Sequence, residues 1–187
     1  MSKVSQIIIG SLLTLGSLLV PVPEVKANTY EEHQELRNTL EEIGVTTLVN
    51  STEVCSSGEN DGVYCYLAST LVVCQDLAGF LPIGAKEVGW TENDYDTLRH
   101  EAHHVVQDCM VGGLADGKSG LLFEDIDRLK EFVNGALTKK EIQIIVNEYR
   151  KGGADDDLIM REIEAFAVAR SVRPSSISNA LRKVCGR

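Results

Sequence analysis

The chain has 187 residues, of which 43% are hydrophobic, and it carries a formal net charge of −10 at pH 7. This length and this apolar content are typical of one folded domain. The acidic balance argues against nucleic acid and anionic membrane surfaces as partners, because both carry the same sign of charge as the chain.

Residues 1–27 have the pattern of a secretory signal peptide. Lys3 provides the positive start, an apolar centre runs from Ile7 to Val20, and Val25–Ala27 offers a small-residue cleavage site. The apolar run is too short for a comfortable membrane span. We therefore expect cleavage near Ala27, a secreted or periplasmic location and no stable membrane association afterwards. An uncleaved anchor is the alternative.

The mature residues 28–187 are predicted to form a single α+β domain in which a short β region precedes a helical part. A first helix is expected where apolar residues recur at helical spacing, and strands are expected where strand-forming residues dominate. The elements expected in this half are a helix over Asn28–Gly44, strands at Thr46–Val49, Val63–Leu67 and Thr70–Cys74, and a loop over Asp76–Trp90.

The second half is expected to be helical. Thr91 or Asp94 can cap a long helix that ends at Gly112–Gly113, and Thr138 with Glu141 completes the capping box of a later helix. The other expected elements are a glycine-rich loop over Leu114–Leu121 at the rim of a cleft, and helices near Leu122–Val133, from near Asp155 and after Ser175. That loop lacks the pattern of a phosphate-binding loop, so no nucleotide site is assigned.

Five cysteines lie in the mature part, where export allows disulfides to persist. The first two predicted strands are expected to form a hairpin about the turn residues Glu59–Gly62, so that the cysteines on either side face each other. Connectivity cannot be read from spacing alone, and an alternative stays open. The favoured pairs are Cys55–Cys65 and Cys74–Cys109 with Cys185 left over, and Cys109–Cys185 is the competing pair.

The long predicted helix contains the motif His100-Glu101-Ala102-His103-His104, which matches H-E-x-x-H, the zinc-binding signature of helix-borne metallopeptidases. His100 and His104 lie one turn apart on one face, so both imidazoles can bind one metal ion. Glu101 lies beside them, where it can take a proton from a metal-bound water. His103 is turned to the edge of this face and is predicted to be a neighbour rather than a ligand. A solvated polar face is the alternative interpretation of the motif.

A catalytic zinc ion usually has three protein ligands, and the third one must come from elsewhere in the chain. The third histidine of the metzincin pattern is absent, since Gln107 and Met110 stand at its glycine and histidine positions. Glu162 falls in the middle of an apolar helical stripe, where an uncompensated carboxylate would be costly. A metal ion would compensate it, and a salt bridge to a core arginine is the alternative. Glu164 is predicted to point to the opposite side.

The motif followed by Glu162-Ile163-Glu164-Ala165 on a later helix resembles the gluzincin group of zinc metallopeptidases, in which a helical E-x-x-A or E-x-x-x-D carries the third ligand. The chain is similar in size to the minigluzincins, and Glu162-x-x-Ala165-x-Ala167 is similar to small bacterial intracellular gluzincins. The resemblance covers about residues 60–172 as an order of elements.

This resemblance implies a zincin-like fold, with a small antiparallel or mixed sheet on the active-site helix and a helical C-terminal subdomain. It also implies zinc on His100, His104 and Glu162, with Glu101 as general base. Phe166 stands where several families have an aspartate that orients a ligating histidine. That role then falls to Asp108 or to a backbone carbonyl.

The function predicted from these residues is that of an exported zinc-dependent endopeptidase acting on peptides or proteins. Tyr64–Cys74 is the candidate for a strand edge that binds an extended substrate, although an ordinary buried strand pair fits the same residues. Tyr149 and Arg170 are the candidates for stabilising the oxyanion. Whether the first helix is a pro-segment stays open.

Two alternatives to this function remain. The first is a catalytically inactive zinc-binding module of the same fold that binds a protein partner, and the missing aspartate motivates it. The second is a disulfide-stabilised interaction domain without a metal ion.

Overall fold

The computed structural model describes residues 30–56, 61–78 and 86–186, so the predicted signal peptide lies outside the described residues. The described part is α+β, with seven α-helices and one three-stranded sheet. The helices are α1 (Tyr30–Glu42), α2 (Thr52–Cys55), α3 (Glu92–Val111), α4 (Ile126–Ala136), α5 (Lys139–Lys151), α6 (Asp156–Ser171) and α7 (Pro174–Val184). The strands are β1 (Thr46–Val49), β2 (Gly62–Cys65) and β3 (Thr70–Val73), and a short 3-10 helix covers Asp76–Ala78.

Helices α3, α5 and α6 begin where the sequence predicts helix starts. The Thr91 hydroxyl accepts a hydrogen bond from the Asp94 amide, and the Asp94 carboxylate accepts one from the Thr91 amide, so both residues cap α3. Thr138 and Glu141 form the same reciprocal box at α5. The Asp155 carboxylate caps α6. Local sequence therefore sets where these helices start.

The sheet has the order β1-β3-β2, with β3 parallel to β1 and antiparallel to β2. The predicted hairpin between β1 and β2 is wrong, because β3 lies between these two strands. The hairpin joins β2 to β3 instead, and Cys65 lies opposite Thr70 at its closed end. Val49 and Val73 lie opposite each other at the other end of the sheet.

This pairing also decides the disulfides. Because parallel strands end on the same side of a sheet, the chain segments that follow β1 and β3 run close together, and Cys55 is bonded to Cys74. Cys65 is the last residue of β2, at the closed end of the hairpin, and is free, whereas Cys109 is bonded to Cys185. The favoured pairs Cys55–Cys65 and Cys74–Cys109 are therefore wrong, and the competing pair forms. Two disulfides are typical of an oxidising, extracellular setting.

Helix α3 lies at the centre of the fold. It packs against β2 and β3 on one side and against α6 and α7 on others, while α4 and α5 pack on α6. Helix α1 packs against α7 and β1, and its Leu36 and Leu40 are fully buried in the core. The described α1 is thus part of the core and does not line the cleft above α3. None of the described helices is long and apolar enough to span a membrane.

Candidate metal centre

Strand β2 lies directly against α3 at the motif. A Cβ atom at Gly62 would lie 2.5 Å from Thr97 Cγ2 and 3.2 Å from Glu101 Cγ, so only glycine permits this approach. His100 and His104 are 2% and 5% exposed, and Glu101 is 3% exposed. The motif therefore faces the inside of a narrow site and is not a solvated polar face.

Three side chains from α3 and α6 converge on one point. The Nε2 atoms of His100 and His104 are 3.0 Å apart, and they lie 3.2 Å and 3.4 Å from Oε2 of Glu162. Tetrahedral zinc with bonds of about 2.0–2.1 Å places its ligand atoms roughly 3.3 Å apart. The three atoms thus have the spacing of three corners of such a site, and they could hold a metal ion. Histidines, and not a core arginine, are the basic partners of Glu162.

Gln107 fixes which nitrogen of His104 carries the proton. Its amide Nε2 donates to the carbonyl oxygen of Arg161 at 3.0 Å and to Oε2 of Glu164 at 2.7 Å. Both partners only accept, so the amide oxygen is the atom that faces Nδ1 of His104, at 2.8 Å. Neutral His104 therefore carries its proton on Nδ1 and presents the lone pair of Nε2 to the cluster, which is the form that binds a metal ion.

Glu164 holds Gln107 in this orientation. Its carboxylate is fully buried and accepts hydrogen bonds from Gln107, from His103 Nε2 at 3.1 Å and from the amides of Leu122 and Phe123 at 3.0 and 3.2 Å. Burial opposes the charged form, but these donors, His103 first among them, lower the pKa of Glu164. As predicted from helical spacing, Glu164 does not share the role of Glu162. It instead joins His104, through Gln107, to the loop before α4.

His100 lacks a comparable support. Its Nδ1 atom is buried and has no hydrogen-bond partner in the part of the chain that the structure describes, and the ring of Phe166 packs against the imidazole with centroids 4.5 Å apart. The expectation that Asp108 orients a ligating histidine is wrong, because its carboxylate accepts a hydrogen bond from the Tyr64 hydroxyl at 2.7 Å. The two histidines of the cluster are therefore supported unequally.

The charges in the cluster depend on one another. Burial disfavours a charged His104, but the Glu162 carboxylate outweighs this and raises the pKa of His104 to about 9. Burial lowers the pKa of His100 to about 4. Burial also opposes the charged form of Glu162, yet the pKa of Glu162 is held below its usual range, mainly by His104. A single proton on His104 thus balances the Glu162 carboxylate, and a divalent cation can replace it.

Glu101 lies beside the cluster with a different environment. Burial raises the pKa of Glu101 to about 8; the charge of Glu162 adds to the rise, while His104 and a backbone hydrogen bond from Tyr64 oppose it. A carboxyl group with a pKa near neutrality can both accept and release a proton under ordinary conditions.

Two tyrosine hydroxyls also reach the cluster. The Tyr149 hydroxyl donates to Glu162 Oε2 at 2.7 Å, and the Tyr66 hydroxyl lies 3.2 Å from His104 Nδ1. Arg170 is exposed and lies 3.7 Å from Glu141, so of the two predicted oxyanion donors only Tyr149 is at the cluster. The cleft above the cluster is lined by Val63, Tyr64, Tyr66, His100, Glu101, His104, Leu158 and Glu162.

Comparisons of the chain with protein-family models, with curated proteins and with solved structures find no match. The fold class and the chemistry of the cluster are therefore the basis for inferring a function. The residues predicted from sequence, His100, His104 and Glu162, do meet in space.

Sequence reasoning missed two contributors to the site. Gln107 falls near His104 at helical spacing, so its place on the same face of α3 could be predicted. Its role could not, because it depends on the amide orientation that Glu164 imposes. Nothing in the sequence around Glu164 indicates that backbone amides of a distant loop would surround its carboxylate.

Proposed function

We propose that the chain is an exported zinc-dependent endopeptidase of the gluzincin type. The convergence of His100, His104 and Glu162 within 3.0–3.4 Å, with Glu101 at the same cleft, is the observation that supports this proposal best. Two imidazoles and one carboxylate are the ligands of catalytic zinc sites that keep the fourth position for water. A structural zinc site would normally be closed by four protein ligands.

The donor set favours zinc over the common hard cations. Calcium takes six to eight oxygen ligands and magnesium keeps several waters, whereas imidazole nitrogen together with one carboxylate oxygen suits zinc. Three protein donors in the described residues fit a tetrahedral ion with one open position. The two disulfides agree with an exported protein.

The residues around the cluster can divide the work of peptide hydrolysis. Zinc would supply a Lewis acid for the scissile carbonyl and lower the pKa of a bound water. Glu101 acts as general base: its carboxylate, which lies at the same cleft, takes a proton from water and passes it to the leaving amine. The hydroxyl of Tyr149, which donates to Glu162 at 2.7 Å, is the nearby donor that can turn to the oxyanion.

Strand β2 is the part of the sheet that suits substrate binding. The sequence predicts a substrate-binding edge within Tyr64–Cys74. Because β3 is the central strand, β2 is the part of this segment that has a free edge within the sheet, and its Val63 and Tyr64 line the cleft. An extended peptide that pairs with the outer edge of β2 would pass over Glu101 and the cluster.

The test compares the parent chain with Glu101→Gln. Both proteins are loaded with one equivalent of zinc and dialysed, and zinc content is measured together with cleavage of an unstructured protein such as casein. We expect equal zinc content and a loss of cleavage of at least about 100-fold in Glu101→Gln, because the general base is removed. Equal cleavage by both proteins would contradict the mechanism.

A second candidate function is an inactive zinc-binding module that binds a protein partner. The unsupported Nδ1 atom of His100 and the phenyl ring of Phe166 beside it favour this candidate. It predicts stoichiometric zinc in the parent chain without cleavage of casein or of unstructured peptides.

A further inference from the structure

Arg161, on α6 beside the cleft, has no anionic partner among the described residues. Of the eight arginines in the described residues, six have a carboxylate oxygen within 4.0 Å, namely Arg37, Arg99, Arg150, Arg170, Arg173 and Arg182. The other two are Arg128, which is exposed on α4, and Arg161, which is half-buried on α6. The Nε atom of Arg161 is buried and has no hydrogen-bond partner.

The absence of a partner matters more for Arg161 than for Arg128. Water hydrates an exposed guanidinium, whereas a half-buried one loses part of its hydration and gains nothing unless an anion binds it. The chain has 28 acidic residues against 18 basic ones, so carboxylates are numerous enough to pair with every arginine. The structure therefore leaves at Arg161 an unused capacity to bind an anion.

The position of Arg161 on α6 places its guanidinium beside the cleft. At about 100° per residue, Arg161 leaves α6 between the directions of Leu158 and Glu164. Leu158 lines the cleft, and Glu164 binds the amide of Leu122 in the loop before α4. Arg161 thus leaves α6 on a side of the helix that borders the cleft.

We propose that Arg161 binds a carboxylate of the peptide substrate and gives the site a preference for substrates that carry one. This proposal rests on the proposed peptidase function. A guanidinium can bind a carboxylate through two parallel hydrogen bonds, which gives orientation as well as attraction. The carboxylate comes either from an acidic side chain or from the C-terminus of the substrate, since both present the same group.

The experiment uses two pairs of matched peptides and the zinc-loaded protein. One pair differs by glutamate against glutamine beside the scissile bond, and the other by a free C-terminus against an amide. We expect kcat/KM to favour the carboxylate peptide of one pair by about tenfold, the size of one charged hydrogen bond. The pair that shows the preference identifies the source of the carboxylate.

Three variants test whether Arg161 causes the preference for a carboxylate. Arg161→Gln is expected to abolish the preference, and Arg161→Lys, which keeps the charge but not the two-pronged geometry, to retain part of it. Arg128→Gln, the exposed unpaired arginine, serves as the matched control and is expected to keep the preference. Zinc content and circular dichroism verify that each variant is folded.

A separate measurement distinguishes failure of this proposal from failure of the peptidase function. Zinc-loaded Glu101→Gln is titrated with the same four labelled peptides, and binding is followed by fluorescence anisotropy. If the parent cleaves no peptide but the carboxylate peptides bind more tightly and Arg161→Gln removes the difference, the peptidase proposal fails and the carboxylate site stands. Equal affinity and equal cleavage within both pairs, or a preference that survives Arg161→Gln, would overturn the carboxylate site.

Discussion

Helix α6 carries two buried carboxylates in contrasting surroundings. Glu164 is surrounded by hydrogen-bond donors, which are two backbone amides and the side chains of Gln107 and His103. Glu162 faces two imidazole nitrogens, and its hydroxyl partner is Tyr149. The first carboxylate is stabilised by the protein itself, whereas the second is placed to share a cation with two histidines. The two carboxylates thus differ in the groups around them more than in their burial, and Glu162, with the two histidines, could hold a metal ion.

The largest expected effect is on metal binding when Glu162 is changed. Glu162→Gln leaves two good ligands instead of three, so we expect zinc affinity to fall by more than the roughly 10–100-fold that loss of a supporting residue costs. Competition titration with a chromophoric chelator measures this affinity. Glu148→Gln on α5, whose ion pair with Lys151 lies at the surface, is the control and should bind zinc like the parent. Unchanged affinity in Glu162→Gln would remove Glu162 from the site.

The next effect concerns stability at Glu164. Glu164→Gln turns an amide NH₂ group toward several donors, so we expect the free energy of unfolding to fall by about 3 kcal/mol, in the range for a broken buried ionic network. Thermal denaturation in EDTA should show a melting temperature lower by about 6–12 °C. Glu148→Gln, whose ion pair with Lys151 lies at the surface of α5, is the control in the same metal-free assay and should change the melting temperature much less. A Glu164→Gln protein as stable as the parent would contradict the contrast between the two carboxylates.

A smaller effect on zinc affinity tests whether Gln107 connects Glu164 to His104. Gln107→Leu removes the nearer acceptor of the His104 Nδ1 proton, at 2.8 Å, and leaves that proton only the Tyr66 hydroxyl at 3.2 Å. We expect zinc affinity to fall by about 10–100-fold while zinc stoichiometry at saturation stays at one per chain. Gln143→Leu on α5, where the side chain bonds only to Asn147 at the surface, is the matched control. Affinity like that of the parent would mean that Gln107 does not orient His104.

The smallest effect concerns a third acid, which has neither a cation nor a full set of donors. Burial raises the pKa of Asp61 to about 6, and the nearby Asp76 and Asp94 add to the rise. The stability that the protonated form contributes is complete below about pH 4 and is lost as the pH rises through about 6.

Asp61→Asn removes this loss. We expect its melting temperature to exceed that of the parent by about 2–4 °C at pH 7, corresponding to roughly 1 kcal/mol, and to match the parent at about pH 4. Thermal denaturation at both pH values measures the difference. Asp127→Asn, at an exposed acid of α4, should show no such dependence on pH. An Asp61→Asn protein that is less stable at pH 7 would contradict the assigned repulsion.

Much of this fold could be predicted from local sequence. The capping residues Thr91, Thr138 and Asp155 lie where the sequence places them, because caps depend on residues within one helical turn. The H-E-x-x-H spacing and the apolar stripe around Glu162 are likewise local patterns, and they identified three side chains that meet in the structure.

The errors arose where distant parts of the chain decide the outcome. The pairing of Cys55 with Cys74 follows from a parallel β1–β3 pair that the strand-forming residues themselves do not specify. The network at Glu164 depends on the return of the loop at Leu122 to α6, which no local pattern reveals. Strand order and loop return are tertiary properties, so sequence periodicity predicts the elements and not these contacts.

X-ray absorption at the zinc edge is the most direct test of whether His100, His104 and Glu162 bind zinc. The protein is loaded with zinc, dialysed against buffer and measured at one zinc ion per chain. We expect two imidazole nitrogens and oxygen ligands at about 2.0–2.2 Å from the zinc ion. No retained zinc, or sulfur ligation at about 2.3 Å from the free Cys65, would contradict it.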